Sequence, residues 1–387
     1  MTRRVLLLSA YAADSHEYWR RSVAALLPDV HFTALTLPPR HFSWRLRGNA
    51  LYWARAERAT LEAGYDALVA TSLVDLATLR GLVPALASLP TLLYFHENQF
   101  AYPPTERQQG RLEAQVTCLY SALAADRLAF NSAWNRDSFL AGVGDLLTRL
   151  PDRVPPGVVD TLAGRSEVLP VPLAADVDTA VPGEDAGQGA GQGAHPFSGG
   201  GPYRGAAGRP LRVAWLGRFE YDKGPERLLA LAECLAAGAR PVELALVGRR
   251  FRREPAAFAA LPGMLGERLV HSGYLPQRAD YLALLSAVDI VLSTARHEFQ
   301  GIAVLEAVAR GCLPCVPDAL SYPELYPACF RYPVGEAADA CGRAAAALID
   351  SLAGGLAAGE QAPPSVAPWL GPALAPRYRR ALAADGA

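Results

Sequence analysis

Lysine is almost missing from this chain. Of its 37 basic residues, 36 are arginine and one, Lys223, is lysine. Such a ratio fits a coding preference that converts every tolerant lysine to arginine, so the position that keeps lysine stands out. Charge of one sign is lacking as well. A formal net charge of -1 excludes a global basic field for nucleic acid and leaves room only for a local patch. No apolar run approaches the length of a membrane span, so no membrane partner is expected. Arg3, Arg4 and the apolar run from Val5 toward Ala10-Tyr11-Ala12 are too short for a secretory signal of roughly 15 to 30 residues. The segment reads as a first buried strand, and the protein as cytoplasmic. Six cysteines scattered through 387 residues make no disulfide frame. Their one close pair, Cys312-Leu-Pro-Cys315, lacks a second pair or nearby histidines and reads as small core residues, so no metal is expected.

What is present is enough for two domains, each able to bury its own core. Apolar residues make up 51% and charged residues 19%, as in a globular protein. Residues 1–173 read as an N-terminal domain. Residues 174–210 are rich in Gly, Ala, Gln, Pro and Asp, with a small repeat from Gly187 to Gly193, and read as a linker or surface insertion. Residues 211–368 form a second domain, and residues 369–387 a C-terminal helix that packs back on the first. Strand and helix patterns alternate throughout. The fold expected is α/β, with two Rossmann-like, doubly wound parallel sheets facing a central cleft.

Polar residues gather where apolar strands end, which is where open α/β sheets bind ligands. After the strand at residues 4–9, Ser15 and His16 stand at the start of a helix running from about His16 to Leu27. They read equally as an anion contact or as a capping serine beside a surface histidine. A strand at 91–95 ends abruptly in His96-Glu97-Asn98-Gln99, and one at 128–130 in Asn131-Ser132; both are read as functional. Residues 38–47 form a loop dense in cations and aromatics, including Arg40, His41, Trp44 and Arg45. Such residues suit stacking on bases and pairing with phosphates, which makes the loop a candidate acceptor surface. In the second domain the strand at 242–247 ends in four arginines within Gly248 to Arg253, either a solvated face or a nucleic-acid contact.

Two further stretches carry most of the chemistry. Lys223 lies in Gly217-Arg218-Phe219-Glu220-Tyr221-Asp222-Lys223-Gly224, a turn after a strand, where a compact ammonium reaches a phosphate that a planar guanidinium overshoots. His297 to Glu306 follows a short buried strand with a carboxylate at each end. Glu306 is surrounded by Ile302, Val304, Leu305, Ala307 and Val308, and a carboxylate buried there requires a hydrogen-bonding partner, a ligand hydroxyl being one candidate.

Together, Arg218, Lys223, Glu298 and Glu306 resemble the donor half of retaining family-4 glycosyltransferases of the GT-B fold: a GR...KG turn, then Glu-x7-Glu with Gly301 between the carboxylates. The first domain narrows this further: Leu37 to Arg45, Tyr94 to Gln99 and Phe130-Asn131-Ser132, with His297-Glu298-Phe299 of the second domain, resemble the tRNA-queuosine alpha-mannosyltransferase family. The likeness covers most of residues 4–172 and 211–330. It departs at one loop, where many relatives of the fold have a glycine pair and this chain has Ala13-Asp14.

The resemblance implies transfer of mannose from GDP-mannose to queuosine in a tRNA anticodon, with no prosthetic group and no metal. Arg218 and Lys223 would neutralise the departing diphosphate. Glu306 would accept the ribose hydroxyls, and Glu298 would bind sugar hydroxyls. Gly273, Tyr274, Leu275, Phe299, Gly301 and Ile302 would complete the donor site together with Ser15 and His16. His96 would meet the sugar or the acceptor. Arg40, His41, Trp44, Arg45, Glu97, Asn98, Gln99, Asn131 and Ser132 would hold the tRNA. A monomer is favoured. Two alternatives stay open: a family-4 transferase with another donor and a glycan, lipid or small-molecule acceptor, and a sugar-nucleotide or RNA binding module without turnover.

Overall fold

The computed structural model describes residues 2–102, 111–177, 196–197, 202–205 and 208–383; the Gly187 to Gly193 repeat lies outside the described residues. The chain divides into two compact units, Met1–Pro172 with Trp369–Ala387, and Leu173–Pro368.

The first unit runs β1 (Arg3–Ser9), α1 (Asp14–Leu26), β2 (Val30–Thr36), α2 (Phe42–Ala56), α3 (Arg58–Leu61) and β3 (Ala67–Thr71). It continues with α4 (Leu76–Leu82), β4 (Thr91–Phe95), α5 (Arg111–Leu123), β5 (Arg127–Phe130), α6 (Ala133–Thr148), α7 (Val158–Gly164) and β6 (Ser166–Val168). The strands form one sheet in the order β2-β1-β3-β4-β5-β6, parallel at every pairing. β3 and β4 are buried along their whole length. A parallel strand covered by helices on both faces has no use for alternation, so it reads as a continuous apolar run.

The second unit repeats the plan with β7 (Leu211–Leu216), α8 (Pro225–Ala237), β8 (Val242–Val247), α9 (Ala256–Leu265), β9 (Leu269–Gly273) and α10 (Arg278–Ala287). Then come β10 (Ile290–Leu292), α11 (Ile302–Ala309), β11 (Leu313–Pro317), α12 (Tyr322–Leu325), β12 (Arg331–Tyr332) and α13 (Ala338–Ala358). Its sheet has the order β12-β11-β10-β7-β8-β9, again all parallel. The last helix, α14 (Gly371–Leu382), belongs to the first unit. Tyr378 anchors it there: its hydroxyl accepts from the Trp19 indole at 3.0 Å and donates to the Pro170 carbonyl at 2.9 Å.

Each sheet has one point at which the chain reverses its direction of winding. In the first it lies between β1 and β3; in the second it lies between β7 and β10. Loops diverge there, leaving a crevice at the strand ends.

Three local expectations are corrected. The segment at 38–47 is a loop only to His41, because α2 begins at Phe42. Helix α1 starts at Asp14, with Ala13 as its N-cap and no side-chain cap bond, so Ser15 does not cap it. His16 is buried, at 3% exposure, and is not a surface histidine.

Candidate active site

In the second unit the two sequence stretches meet at the reversal point. The Asp222-Lys223-Gly224 turn after β7 is fastened to the segment after β10 by backbone contacts. The amides of Arg296 and His297 both donate to the Asp222 carbonyl, at 2.9 and 3.1 Å. Thr294 Oγ1 donates to the Lys223 carbonyl at 2.8 Å and accepts from the buried Trp215 indole at 2.9 Å. Gly224 has φ 66° and sits so close that a Cβ there would lie 2.0 Å from the Thr294 carbonyl oxygen. Only glycine suits both the left-handed backbone and the approach.

This fastening brings Lys223 Nζ to 2.9 Å from Glu298 Oε2 and 3.3 Å from the His297 carbonyl. The other carboxylate oxygen of Glu298 accepts from the amides of Phe299, Gln300 and Gly301, at 3.1, 3.4 and 3.0 Å. Gly301, at φ 73°, closes that turn and opens α11. Burial raises the Glu298 carboxyl pKa, but the Lys223 ammonium and the Gly301 and Gln300 amides outweigh it and hold the group down to about 2. Burial likewise disfavours the charged Lys223, yet Glu298 and Asp222 leave its pKa above the ordinary lysine range. Both groups are therefore ionised. His297, buried beside this ammonium, falls to about 4 and is neutral. Arg218 joins the cluster through Asp222 at 3.2 Å and Glu220 at 2.9 Å. The site is an ammonium and a half-exposed guanidinium held in place by three carboxylates.

Glu306 is 4% exposed, as its apolar surroundings predict, but its partner belongs to the protein. Oε1 accepts from Arg278 Nη2 at 2.6 Å and Oε2 from the Tyr281 hydroxyl at 3.1 Å. Arg278 is in turn gripped by Asp176 at 3.0 and 3.1 Å. Gly273 ends β9, and its carbonyl accepts from the Gly248 amide at 3.0 Å. Tyr274 is exposed beneath the Arg249 guanidinium, 4.8 Å from its ring centre, and Leu275 is half-buried. Phe299 is buried edge-on against His297, and Ile302 begins α11. Of the four arginines after β8, Arg250 pairs with Glu254 and lies over Phe219.

Cys312 and Cys315 are fully buried, and burial raises both thiols far above the ordinary cysteine range. Among the described residues no three His, Cys, Asp or Glu side chains are arranged to hold a metal ion.

In the first unit His16 and His96 are brought together, stacked with ring centres 4.1 Å apart. Trp19 and Tyr94 pack against the pair, at 4.9 and 4.8 Å from the His96 ring. Burial lowers His16 to about 4 and His96 well below the ordinary histidine range, so both are neutral. His16 Nδ1 and His96 Nε2 have no hydrogen-bond partner among the described residues. Ser15 is exposed.

The polar residues that follow β4 and β5 divide into support and surface. Asn98, expected to meet an acceptor, is 0% exposed and its amide is spent inside the protein. It donates to Asn135 and Ser138 and accepts from the Phe100 and Ala101 amides at 3.0 Å. Asn135 also donates to Asn131 Oδ1 at 2.8 Å, and Asn131 to the His96 carbonyl at 2.9 Å. Ser132 caps α6 through the Asn135 amide. These side chains hold the loop that carries His96. Asn135 was not singled out by sequence, although asparagine is nearly as scarce as lysine: there are four, at 49, 98, 131 and 135. Glu97 accepts from the Tyr102 hydroxyl at 2.5 Å, and Gln99 is buried with no hydrogen-bond partner for Nε2 among the described residues. Arg40, His41 and Trp44 are exposed, and Arg45 is half-buried.

Comparison with known proteins gives the family and the fold. Residues 4–173 match the family described as tRNA-queuosine alpha-mannosyltransferase N-terminal, and residues 204–326 match glycosyl transferases group 1. The chain is 31% identical over 333 residues to the tRNA-queuosine alpha-mannosyltransferase of Drosophila melanogaster, covering 84% of this chain and 81% of that protein. A shorter likeness, 36% over 107 residues and 27% of this chain, joins it to 25% of the 2-deoxystreptamine N-acetyl-D-glucosaminyltransferase of Streptomyces fradiae. Among solved structures, Anabaena HepE in complex with UDP and glucose superposes with TM-score 0.62 at 16% identity, covering 98% of this chain and 99% of that one. Sucrose-phosphate synthase from Thermosynechococcus elongatus gives 0.62 at 17%, covering 99% and 100%. These neighbours are GT-B glycosyltransferases, and the fold is theirs.

Proposed function

Because the chain belongs to the tRNA-queuosine alpha-mannosyltransferase family and is a glycosyltransferase, we propose that it transfers mannose from GDP-mannose to the cyclopentene-diol of queuosine in the anticodon of tRNA, of the tRNA-Asp type. The observation that carries the donor side is the Lys223–Glu298 pair at the reversal point of the second sheet. In this reading the bond between the mannose anomeric carbon and the diphosphate oxygen breaks, and its electron pair leaves with the diphosphate. Lys223 and Arg218 face that growing charge and lower the barrier by stabilising it. A queuosine hydroxyl attacks the same face of the sugar, its proton passes to the departing phosphate oxygen, and the anomeric configuration is retained.

Glu298 orients the sugar through its hydroxyls. Its Oε1 already holds the three amides of the turn that leads into α11, so the phosphates are assigned to Lys223 and Arg218 and not to those amides. Glu306 keeps lone pairs for the ribose hydroxyls beyond the two bonded to Arg278 and Tyr281. His96, buried and neutral, supplies a hydrogen bond and no charge to the sugar or acceptor. No metal and no prosthetic group takes part.

Incubation with radiolabelled GDP-mannose and matched tRNA pools with and without queuosine tests the proposal. Label should enter only the queuosine-containing pool. Absence of label from every tRNA, with release of mannose onto another acceptor, would replace it with a transferase of different acceptor.

A further inference from the structure

Within the first unit, we infer that the outer face of α2 is a stacking platform for unpaired bases of an RNA, with Gly48 setting the Trp44 ring flat against the helix. The inference rests on the proposed RNA acceptor and specifies how that RNA is gripped. Trp44, Leu51 and Tyr52 are 60%, 54% and 49% exposed, and helical spacing lines Trp44, Gly48, Leu51 and Arg55 along one stripe. Large apolar side chains grouped in this way on a soluble surface mark a binding face.

Gly48 explains the geometry. A Cβ at that position would lie 2.5 Å from Trp44 Cε2 and 2.7 Å from Cζ2, so the ring rests on the glycine with its opposite face turned outward. Glycine is a poor helix former, and here its lack of a side chain is what allows the ring to lie down.

Charge selects the occupant. Residues 38–56 contain four arginines and no acid, in a chain whose net charge is -1. Arg47 is held by Asp75 at 2.7 Å, whereas Arg40, Arg45 and Arg55 have no ion-pair partner among the described residues. Flat aromatic rings interspersed with unpaired guanidiniums match bases and phosphates; a second copy of this near-neutral chain offers no such complement. The platform also has a direction. His41, in the left-handed region at φ 54°, turns the chain into α2, and Phe42 packs edge-on against Tyr11 at 5.8 Å. Tyr11 follows β1, so the start of α2 adjoins the strand ends where His16 and His96 stand.

The test is equilibrium binding of an unmodified single-stranded RNA of anticodon-loop sequence, without donor, at several salt concentrations. Trp44→Ala should weaken binding by about 5- to 150-fold, the range for loss of one base–aromatic stack, and Trp44→Phe should restore most of it. Gly48→Ala, which favours the helix, should also weaken binding because it lifts the ring. Arg55→Ala should flatten the logarithmic salt dependence by roughly 0.7. Unchanged affinity in both Trp44→Ala and Gly48→Ala overturns the inference, as does a wild-type dimer that Trp44→Ala dissociates while RNA affinity stays the same. The probe lacks queuosine. Binding of this probe through Trp44, with no mannosyl transfer to queuosine-containing tRNA in the labelling assay, would therefore refute the proposed function alone, and transfer there with Trp44-independent binding here would refute the platform alone.

Discussion

Glu298→Gln isolates one carboxylate whose ionisation the second unit depends on. In the folded protein its pKa lies at about 2 against an ordinary 4.5. A carboxylate with a depressed folded pKa adds stability above its ordinary value and loses it as pH falls toward the folded one. That fall is worth about 3 kcal/mol at neutral pH. Linkage places about 2 kcal/mol of the loss between pH 6 and pH 3. The glutamine variant has no proton to take up there, so its stability should fall by that much less over the same interval. Urea unfolding at fixed pH values, read from hydrogen exchange of β7 and β10 amides, follows the unit that contains the pair. Titrating groups that do not feel Glu298 cancel in the difference; His297 does not, because the Glu298 charge raises its pKa, and its further fall in the variant makes the measured difference smaller. Parallel pH profiles for the two proteins would refute the claim that Glu298 is an ionised partner of Lys223.

Two further perturbations address the frame around the site. Gly224→Ala forces a Cβ to within 2.0 Å of the Thr294 carbonyl in a left-handed backbone; it should destabilise the second unit by at least about 3 kcal/mol, seen as a lowered urea midpoint. Arg278→Ala leaves the buried Glu306 carboxylate with Tyr281 as its one side-chain partner among the described residues. Loss of a buried partner costs roughly 3–5 kcal/mol; because Arg278 itself is 38% exposed, about 2–3 kcal/mol is expected here. Adding Glu306→Gln should return part of that stability, and a double variant no more stable than the single one would contradict the pairing.

The strands were legible because parallel strands buried on both faces are largely apolar runs, as in Leu92 to Phe95. Lys223 was legible because one lysine among 36 arginines marks a place where the two cations are not equivalent. The spacing of Glu298 and Glu306 around Gly301 was legible for the same reason that a loop must open a helix there. Partners distant in sequence were not. Arg278 lies 28 residues before Glu306, and nothing in its own neighbourhood distinguishes it from other helix-start arginines. The His16–His96 stack joins the first turn of α1 to the end of β4, 80 residues apart, so each histidine read singly as a surface or ligand group. Asn98 ended an apolar strand and looked functional; only its full burial shows that it holds the loop. Scarcity would have drawn Asn98, Asn131 and Asn135 together, as it singled out Lys223.

The most direct measurement is the rate of mannosyl transfer by Lys223→Arg at saturating donor and acceptor, with thermal unfolding checked alongside. Charge is conserved, but a planar guanidinium cannot occupy the place of an ammonium that lies 2.9 Å from Glu298 and 3.3 Å from the His297 carbonyl. Losing a well-placed donor to a growing anion costs about 100- to 1,000-fold in rate, and with the charge kept, a fall of about 10- to 100-fold is expected while the fold persists. A variant as fast as the wild type would contradict the placement of the departing diphosphate at Lys223.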